Sequence, residues 1–397
     1  MLKNISINNF KVLINFVSIL FLICIANYSC TQSSQNKPEK NLELKLVQDT
    51  SIKFAKRFAI SIGSDFKIVH LFGKASDNKD TTANFVVYQA NKPNVNISKA
   101  YFIKAPCTQI ISLSSIYSNM IAELNCINNI IAIENSDYYN NPAILENVKK
   151  GKIKEVQRNQ EIDKELVLTL KPDIIFAFGM RKATDDFDPK IVESGIPIVI
   201  SLDHLESSPL ARAEWIKFFA VFVNKEKEAD QIFRSVVQNY YSLKRIATSF
   251  KNRPTVFSEL KYGDTWYVPG GKSFMAQLIH DANANYLWSD DTVSGSLPLS
   301  FEAVYKKANK ADYWLNVSMC SDKKQILAQD KRYGDFLAFQ KDNIYNNNLH
   351  CNKLNYTNYW ETGMIYPNQI LSDLIKIFHK EAIDSIKNDF YYYKAIK

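Results

Sequence analysis

Apolar and polar positions alternate between Phe54 and Ile103, as in Phe58-Ala59-Ile60-Ser61-Ile62, Phe66-Lys67-Ile68-Val69-His70-Leu71 and Asn84-Phe85-Val86-Val87-Tyr88. A period of two predicts antiparallel strands with one buried face. Beyond Pro106 the alternation gives way to short continuous apolar runs: Ile110-Ile111-Ser112-Leu113, Ile130-Ile131-Ala132-Ile133, Ile174-Ile175-Phe176-Ala177-Phe178 and Ile196-Pro197-Ile198-Val199-Ile200. Helical spacing separates them, at 117–124, at 161–170 and in the stretch before Gly195. Strands apolar on both faces and alternating with helices predict a parallel sheet covered on both sides.

From Pro209 to about Phe250 the chain has no further Pro, no Gly and sustained helical spacing, with Trp215, Phe218, Phe219, Phe222 and Phe233 on apolar positions. Glu206-Ser207-Ser208-Pro209 is a start signal of polar cap candidates followed by Pro. Forty residues of helix would span roughly 60 Å at 1.5 Å per residue, enough for a rigid strut. After Pro254 the strand–helix alternation resumes. Strands are expected at 255–260, 312–318 and 343–349, and helices at 273–281, 301–308, 333–339 and 367–379. The fold class is therefore α/β: two three-layer lobes with mainly parallel sheets, joined by one long helix. The divisions are 1–29, 30–50, 51–206, 207–250 and 251–397.

The first two divisions come from the N-terminus. Lys3 and Lys11 precede an apolar run from Val12 to Ala26, and the chain turns polar after Cys30. A short basic start, an apolar core and a small residue before the break make a secretion signal. Ser29-Cys30 resembles the bacterial lipobox, whose cysteine is lipidated and becomes the new N-terminus. Asn27 departs from the aliphatic residue usual there. Residues 30–50 then form a lipid-anchored tether. The formal charge of +8 falls to +6 without Lys3 and Lys11, and it is spread along the chain. That excludes a basic groove for nucleic acid. Cys107, Cys126, Cys320 and Cys351 remain in the exported part, without Cys-x-x-Cys spacing, and a disulfide between Cys320 and Cys351 is expected.

Several segments together resemble the periplasmic substrate-binding proteins for iron chelates and cobalamin, in their Bacteroidetes lipoprotein form. They are Ile110 through Ser115, Leu170-Lys171-Pro172-Asp173-Ile174-Ile175-Phe176, Ser208 through Phe218, Gly270 through Leu278, Asp312 through Asn316, Asn358 through Gly363 and Pro367 through His379. The resemblance spans about residues 105–385. It implies a monomeric binding protein without catalysis that captures a ferric siderophore, haem or cobalamin-like chelate between its lobes. It also implies an ABC permease and its ATPase as partners and a lipid anchor on the periplasmic face or cell surface of a Gram-negative envelope. No cofactor of its own is implied.

Ligands of parallel α/β sheets bind beyond the carboxyl ends of strands. The loops there give the candidate wall. In the first lobe it comprises Ser115, Tyr117, Tyr138, Tyr139, Met180, Arg181 and His204. In the second it comprises Tyr262, Trp266, Trp288, Met319, Tyr356, Tyr359 and Trp360. Aromatic rings suit a flat, partly apolar chelate, and Arg181 suits a carboxylate or catecholate oxygen. Each aromatic taken singly also has the plainer reading of core packing. Family members carry a surface Glu on each lobe for permease docking. Asn119 and Gln277 occupy those places here, with Glu123 one turn from Asn119.

Three rivals remain. A scavenger working without its own permease is favoured by the uncharged docking positions. A direct zinc or manganese receptor needs several imidazoles, and only His70, His204, His280, His350 and His379 exist. An enzyme lacks support: no Gly-x-Ser-x-Gly, Gly-x-Gly-x-x-Gly, Walker loop or His-Glu-x-x-His is present, and Asp185, Asp186 and Asp188 lack the glycine of a calcium loop.

Overall fold

A computed structural model describes residues 46–73, 81–158, 161–179 and 187–397. The signal segment, Cys30, Met180 and Arg181 lie outside the described residues. The alternating segment forms a five-stranded sheet of β1 (Val47–Gln48), β2 (Phe58–Ile62), β3 (Phe66–Phe72), β4 (Thr81–Tyr88) and β5 (Ala100–Lys104). Its pairs are antiparallel except β4–β5. Val47 and Gln48, expected to belong to the tether, already lie in this sheet, paired with Ile62 and Ser61.

The apolar runs form β6 (Ile110–Leu113), β7 (Ile130–Ile133) and β8 (Lys154–Glu155). After a ribbon of β9 (Gln157–Arg158) and β10 (Glu161–Ile162) come β11 (Ile174–Phe178) and β12 (Ile198–Ser201). The larger sheet runs β12-β11-β6-β7-β8, all parallel. Helices α1 (Ser115–Glu123), α2 (Pro142–Lys149), α3 (Lys164–Leu170) and α4 (Pro189–Glu193) connect its strands.

The segment expected as one helix is two: α5 (Pro209–Val223) and α6 (Glu226–Thr248). Asn224 takes the left-handed conformation at φ 55° and ends α5. Asn enters that region more readily than other non-glycine residues, so the absence of Gly and Pro did not guarantee continuity. The chain then reverses, and the Lys217 ammonium in α5 lies 3.1 Å from the Asp230 carboxylate in α6. In an unbroken helix those residues would stand about 20 Å apart.

The two helices differ in surroundings. All of α5 except Arg212 is buried. Phe58 packs on Trp215 and Phe218 from the first sheet, while Phe176 packs on Phe219 and Phe222 from the second. A helix apolar all round is one buried on every side. Two carboxylates hold the entering chain against it. Glu214 accepts backbone N–H groups of Lys53, Phe54 and Ala55 at 2.7–2.9 Å, and Glu206 accepts those of Lys56 and Arg57. In contrast α6 is amphipathic. Its Phe233 meets Phe54 of the first lobe, and its Tyr240 and Lys244 reach Asp281 of the second. The connecting strut is therefore α6 alone, 23 residues or about 34 Å.

The second lobe contains β13 (Thr255–Ser258), β14 (Lys261–Tyr262), β15 (Thr265–Pro269), β16 (Asn285–Tyr286), β17 (Ser296–Leu299), β18 (Tyr313–Leu315), β19 (Ile344–Asn346) and β20 (Lys394–Ala395). Its main sheet runs β16-β13-β18-β19-β20, parallel except for the last pair, and β14-β15-β17 form a small antiparallel sheet. Helices α7 (Phe274–Asp281), α8 (Phe301–Ala308), α9 (Lys323–Gln329), α10 (Leu337–Gln340) and α11 (Pro367–Phe378) complete it. Among the described residues no helix is long and apolar enough to cross a membrane.

Candidate functional site

Each main sheet has one point where its strand order reverses. In the first lobe the chain passes from β6 to β7 and β8 on one side, then crosses to β11 and β12 on the other. In the second it passes from β13 to β16, then crosses to β18 and β19. Adjacent connections leave such a strand pair on opposite faces, opening a crevice at the carboxyl ends. The crevices are thus bounded by Leu113–Ser115 and Phe178 in one lobe and by Ser258–Glu259 and 315–319 in the other.

The two carboxyl ends face one another. Glu361, in the loop after β19, is buried and accepts three hydrogen bonds from the first lobe. The donors are the Asn140 backbone N–H at 2.8 Å, its side-chain amide at 3.0 Å and the Asn119 amide at 3.1 Å. The Asn352 amide donates to the Asp137 carbonyl at 2.6 Å, and the Tyr138 and Tyr356 rings meet edge-on at 5.1 Å. The Tyr366 hydroxyl donates to Glu123. Deeper in, the Arg212 guanidinium donates to the His204 and Glu206 carbonyls, contacts the Met364 sulfur and stacks over Phe274 of the second lobe.

Four large side chains at or after the strands stay exposed: Phe178 at 50%, Tyr262 at 84%, Met319 at 57% and Trp360 at 49%. Large apolar groups kept accessible beside a crevice suit ligand contact. The His204 ring lies 4.6 Å from that of Phe178, and both its nitrogens are buried without a hydrogen-bond partner. Burial holds its pKa below the ordinary value, so the imidazole is neutral at pH 7.

Carboxyl groups border the crevices. Glu134, following β7, accepts the Tyr139 hydroxyl at 2.8 Å, and burial pushes its pKa up to about 8. Burial also raises Glu361, against the hydrogen bonds from Asn140 and Asn119. Glu259 follows β13 in the left-handed region at φ 70°, an uncommon state for a residue with a Cβ. Its N–H donates to the Leu315 carbonyl, and its own carbonyl accepts Trp314 Nε1–H, which fixes that conformation. Asn316 and Ser318, at the end of β18, share the left-handed region at φ 58° and 53°. The Asn316 amide donates to Glu259 Oε1 at 3.3 Å, while its oxygen accepts the Tyr393 hydroxyl. Burial pushes Glu259 up to about 7.

The expected wall is thus partly corrected. Tyr117 stacks on Phe219 and donates to Asp203 inside the first lobe. Trp266 is 0% exposed, and its indole N–H donates to the Ser258 carbonyl. Tyr139, Tyr359 and Trp288 are likewise buried by protein packing. Ser115 opens α1 at the crevice, and Tyr138 and Tyr356 are engaged with each other across the lobes. Of the others, His204 contacts Phe178, and Tyr262, Met319 and Trp360 are exposed. The docking positions change too. Asn119 is buried, bonded to Glu361 and to Asn141, and Glu123 is tied to Tyr366. Gln277 alone of the three is exposed, its amide on Asp281. Cys320 and Cys351 are free thiols, one buried and one exposed.

Sequence reading missed Phe178, Glu134, Glu259, Asn316 and Glu361. An acid directly after an apolar strand, as in Val256-Phe257-Ser258-Glu259, was the available signal for the first two acids.

Residues 110–347 match the family model for periplasmic binding proteins. The chain belongs to the periplasmic binding protein family. Two uncharacterized lipoproteins of Methanocaldococcus jannaschii are 26% identical to it. One match covers 73% of this chain and 69% of the relative, the other 79% and 81%. A periplasmic solute-binding protein of Staphylococcus epidermidis superposes at a TM-score of 0.55 and 18% identity, over 69% of this periplasmic binding protein and 99% of that structure. A periplasmic heme-binding protein of a Roseiflexus species in its apo form gives 0.52 and 18%, over 69% and 98%. Identities this low establish the shared two-lobed fold. The first sheet lies wholly before the family match, which opens at β6. Among the described residues no group of three or more His, Cys, Asp or Glu is placed to hold a metal ion.

Proposed function

We propose that this periplasmic binding protein captures a metal chelate of the ferric siderophore, haem or cobalamin kind between its lobes and presents it to an ABC permease. The observation that carries this reading is the pair of facing switch points, each bordered by exposed apolar side chains, on opposite ends of one strut. Phe178 and Trp360 offer flat apolar area at low entropic cost, as a chelate's rim requires. The strut resists bending and the Glu361 contacts already bridge the lobes, so capture needs small movements. Lipidation of Cys30 would hold the protein at the membrane where the permease sits.

Thermal unfolding of the full-length protein with ferric siderophores, hemin and cyanocobalamin tests the reading. A ligand at a hundred times its Kd adds about 2.7 kcal/mol, a shift of several degrees. One class should produce it, and Trp360→Ala should diminish it. No shift with any of the three overturns the proposed cargo.

A further inference from the structure

We propose that the second lobe's switch point recognises a cationic group on the cargo, and that Glu259 is the residue that selects it. The inference rests on the proposed capture of a chelate and names its charge class.

The position comes first. Glu259 directly follows β13 at the reversal between β13 and β18, where an α/β sheet offers its ligand crevice. The backbone bonds to Leu315 and from Trp314 hold it there in a left-handed conformation that a glycine would adopt at no cost. A glutamate kept at such a position brings a carboxyl group to the crevice at a backbone cost. Strain of this kind persists only where the surroundings over-determine it.

The partners come second. One oxygen of Glu259 receives a single long hydrogen bond, from Asn316 at 3.3 Å. Among the described residues no Lys or Arg nitrogen lies within 4.0 Å of it, whereas the neighbouring Lys261 is taken by Asp330 at 3.1 Å. Around it stand the hydroxyl-bearing rings of Tyr286, Tyr359 and Tyr393, which supply no positive charge. A carboxyl group only partly covered by protein and holding one long hydrogen bond gains from a cation or a strong donor. Burial pushes its pKa up to about 7, so the group is about half ionised at pH 7, and an approaching cation would draw it fully into the ionised form.

The rest of the cleft agrees. Glu134 and Glu361 add two more carboxyl groups at the facing loops. Arg212 has its guanidinium directed to two backbone carbonyls and a thioether. Arg57 donates to the Gly73 carbonyl behind His204. Both guanidinium groups are thus committed to protein acceptors, and the carboxyl groups would repel a polyanionic catecholate complex.

Three ferric complexes test this on the full-length protein, with tryptophan fluorescence and calorimetry as readouts. One is a linear trihydroxamate complex bearing a free ammonium, the second is the same complex N-acetylated, and the third is a tris-catecholate. The wild type should bind the ammonium complex at least about tenfold more tightly than the acetylated one, with the catecholate weakest. Glu259→Gln should abolish that gap while keeping the acetylated affinity, and Glu259→Asp should retain part of the gap. Equal affinity for the first two complexes, a catecholate preference, or a gap that survives Glu259→Gln overturns the assignment while leaving chelate capture standing. Binding of none of the three overturns the assignment, and the thermal series with hemin and cyanocobalamin then decides the chelate reading separately.

Discussion

The two cleft walls are built from the same strand plan and finished differently. In the first lobe the carboxyl and amide groups after the strands are already spent on protein. Glu134 holds Tyr139, and Asn119 and Asn140 hold Glu361. In the second, Glu259 has one long hydrogen bond, and Tyr262, Met319 and Trp360 stand open. The difference teaches that a shared topology places a crevice in both lobes without giving both the same work. The first wall closes the interface, and the second is left with groups able to meet a ligand.

The sharpest way to break this contrast is to truncate two tryptophans of the second lobe. Trp266→Ala removes a core side chain and should cost about 3–5 kcal/mol in urea unfolding. Trp360→Ala should cost under about 1 kcal/mol while weakening ligand-induced stabilisation. Comparable losses from both would place Trp360 in the core. Next in size is Glu361→Ala, which removes three hydrogen bonds to a carboxyl group and leaves the Asn140 backbone N–H and one N–H of each side-chain amide without that acceptor. It should destabilise by roughly 2–3 kcal/mol and speed hydrogen exchange at 137–141 and 350–361, with 255–258 unaffected. Uniform exchange would show that no local latch exists.

A pH series sharpens the same comparison. The Glu134 proton is held more tightly in the native state than in the unfolded one, since its pKa rises from 4.5 to about 8. Below 4.5 both states carry the proton and this contribution to stability is fully present. Between those values only the native state does, so stability falls as pH rises, by at most about 1.4 kcal/mol per pH unit. Glu134→Gln should remove that part of the slope, read as the difference between the two unfolding profiles from pH 5 to 8. An unchanged slope would assign the titration elsewhere. The smallest effect is expected from Gln277→Ala, an exposed side chain, within about 0.5 kcal/mol by thermal unfolding.

The architecture was legible because it rests on periodicity. Ile110–Leu113 and Ile174–Phe178 read as buried parallel strands from apolar content alone, and Phe58–Ile62 as a strand with one covered face. The strut was legible only in part. Asn224 breaks the helix by a backbone choice that composition hides, although the change from Phe222-Val223 to Asn224-Lys225-Glu226 marks where all-round burial ends. The site was less legible still. Tyr117 and Trp266 follow strands in the chain yet point into cores, because one lies on the buried face of α1 and the other on the buried face of β15. Glu361 and Asn119 stand 242 positions apart in the chain, and their meeting depends on how the lobes close.

The most direct test is the hydrogen-exchange footprint of the bound chelate, with ferric trihydroxamate, hemin and cyanocobalamin taken in turn. The central claim is that cargo sits between the two switch points. Protection is therefore predicted at 113–115 and 178 in the first lobe and at 258–262 and 315–319 in the second. Two other recesses exist, one of about 370 Å³ at the sheet tip beside Ile62, Phe66 and Tyr88, the other of about 480 Å³ between α6 and α11 beside Asn239 and Gln369. Protection confined to either recess, with the strand ends unchanged, would contradict the account.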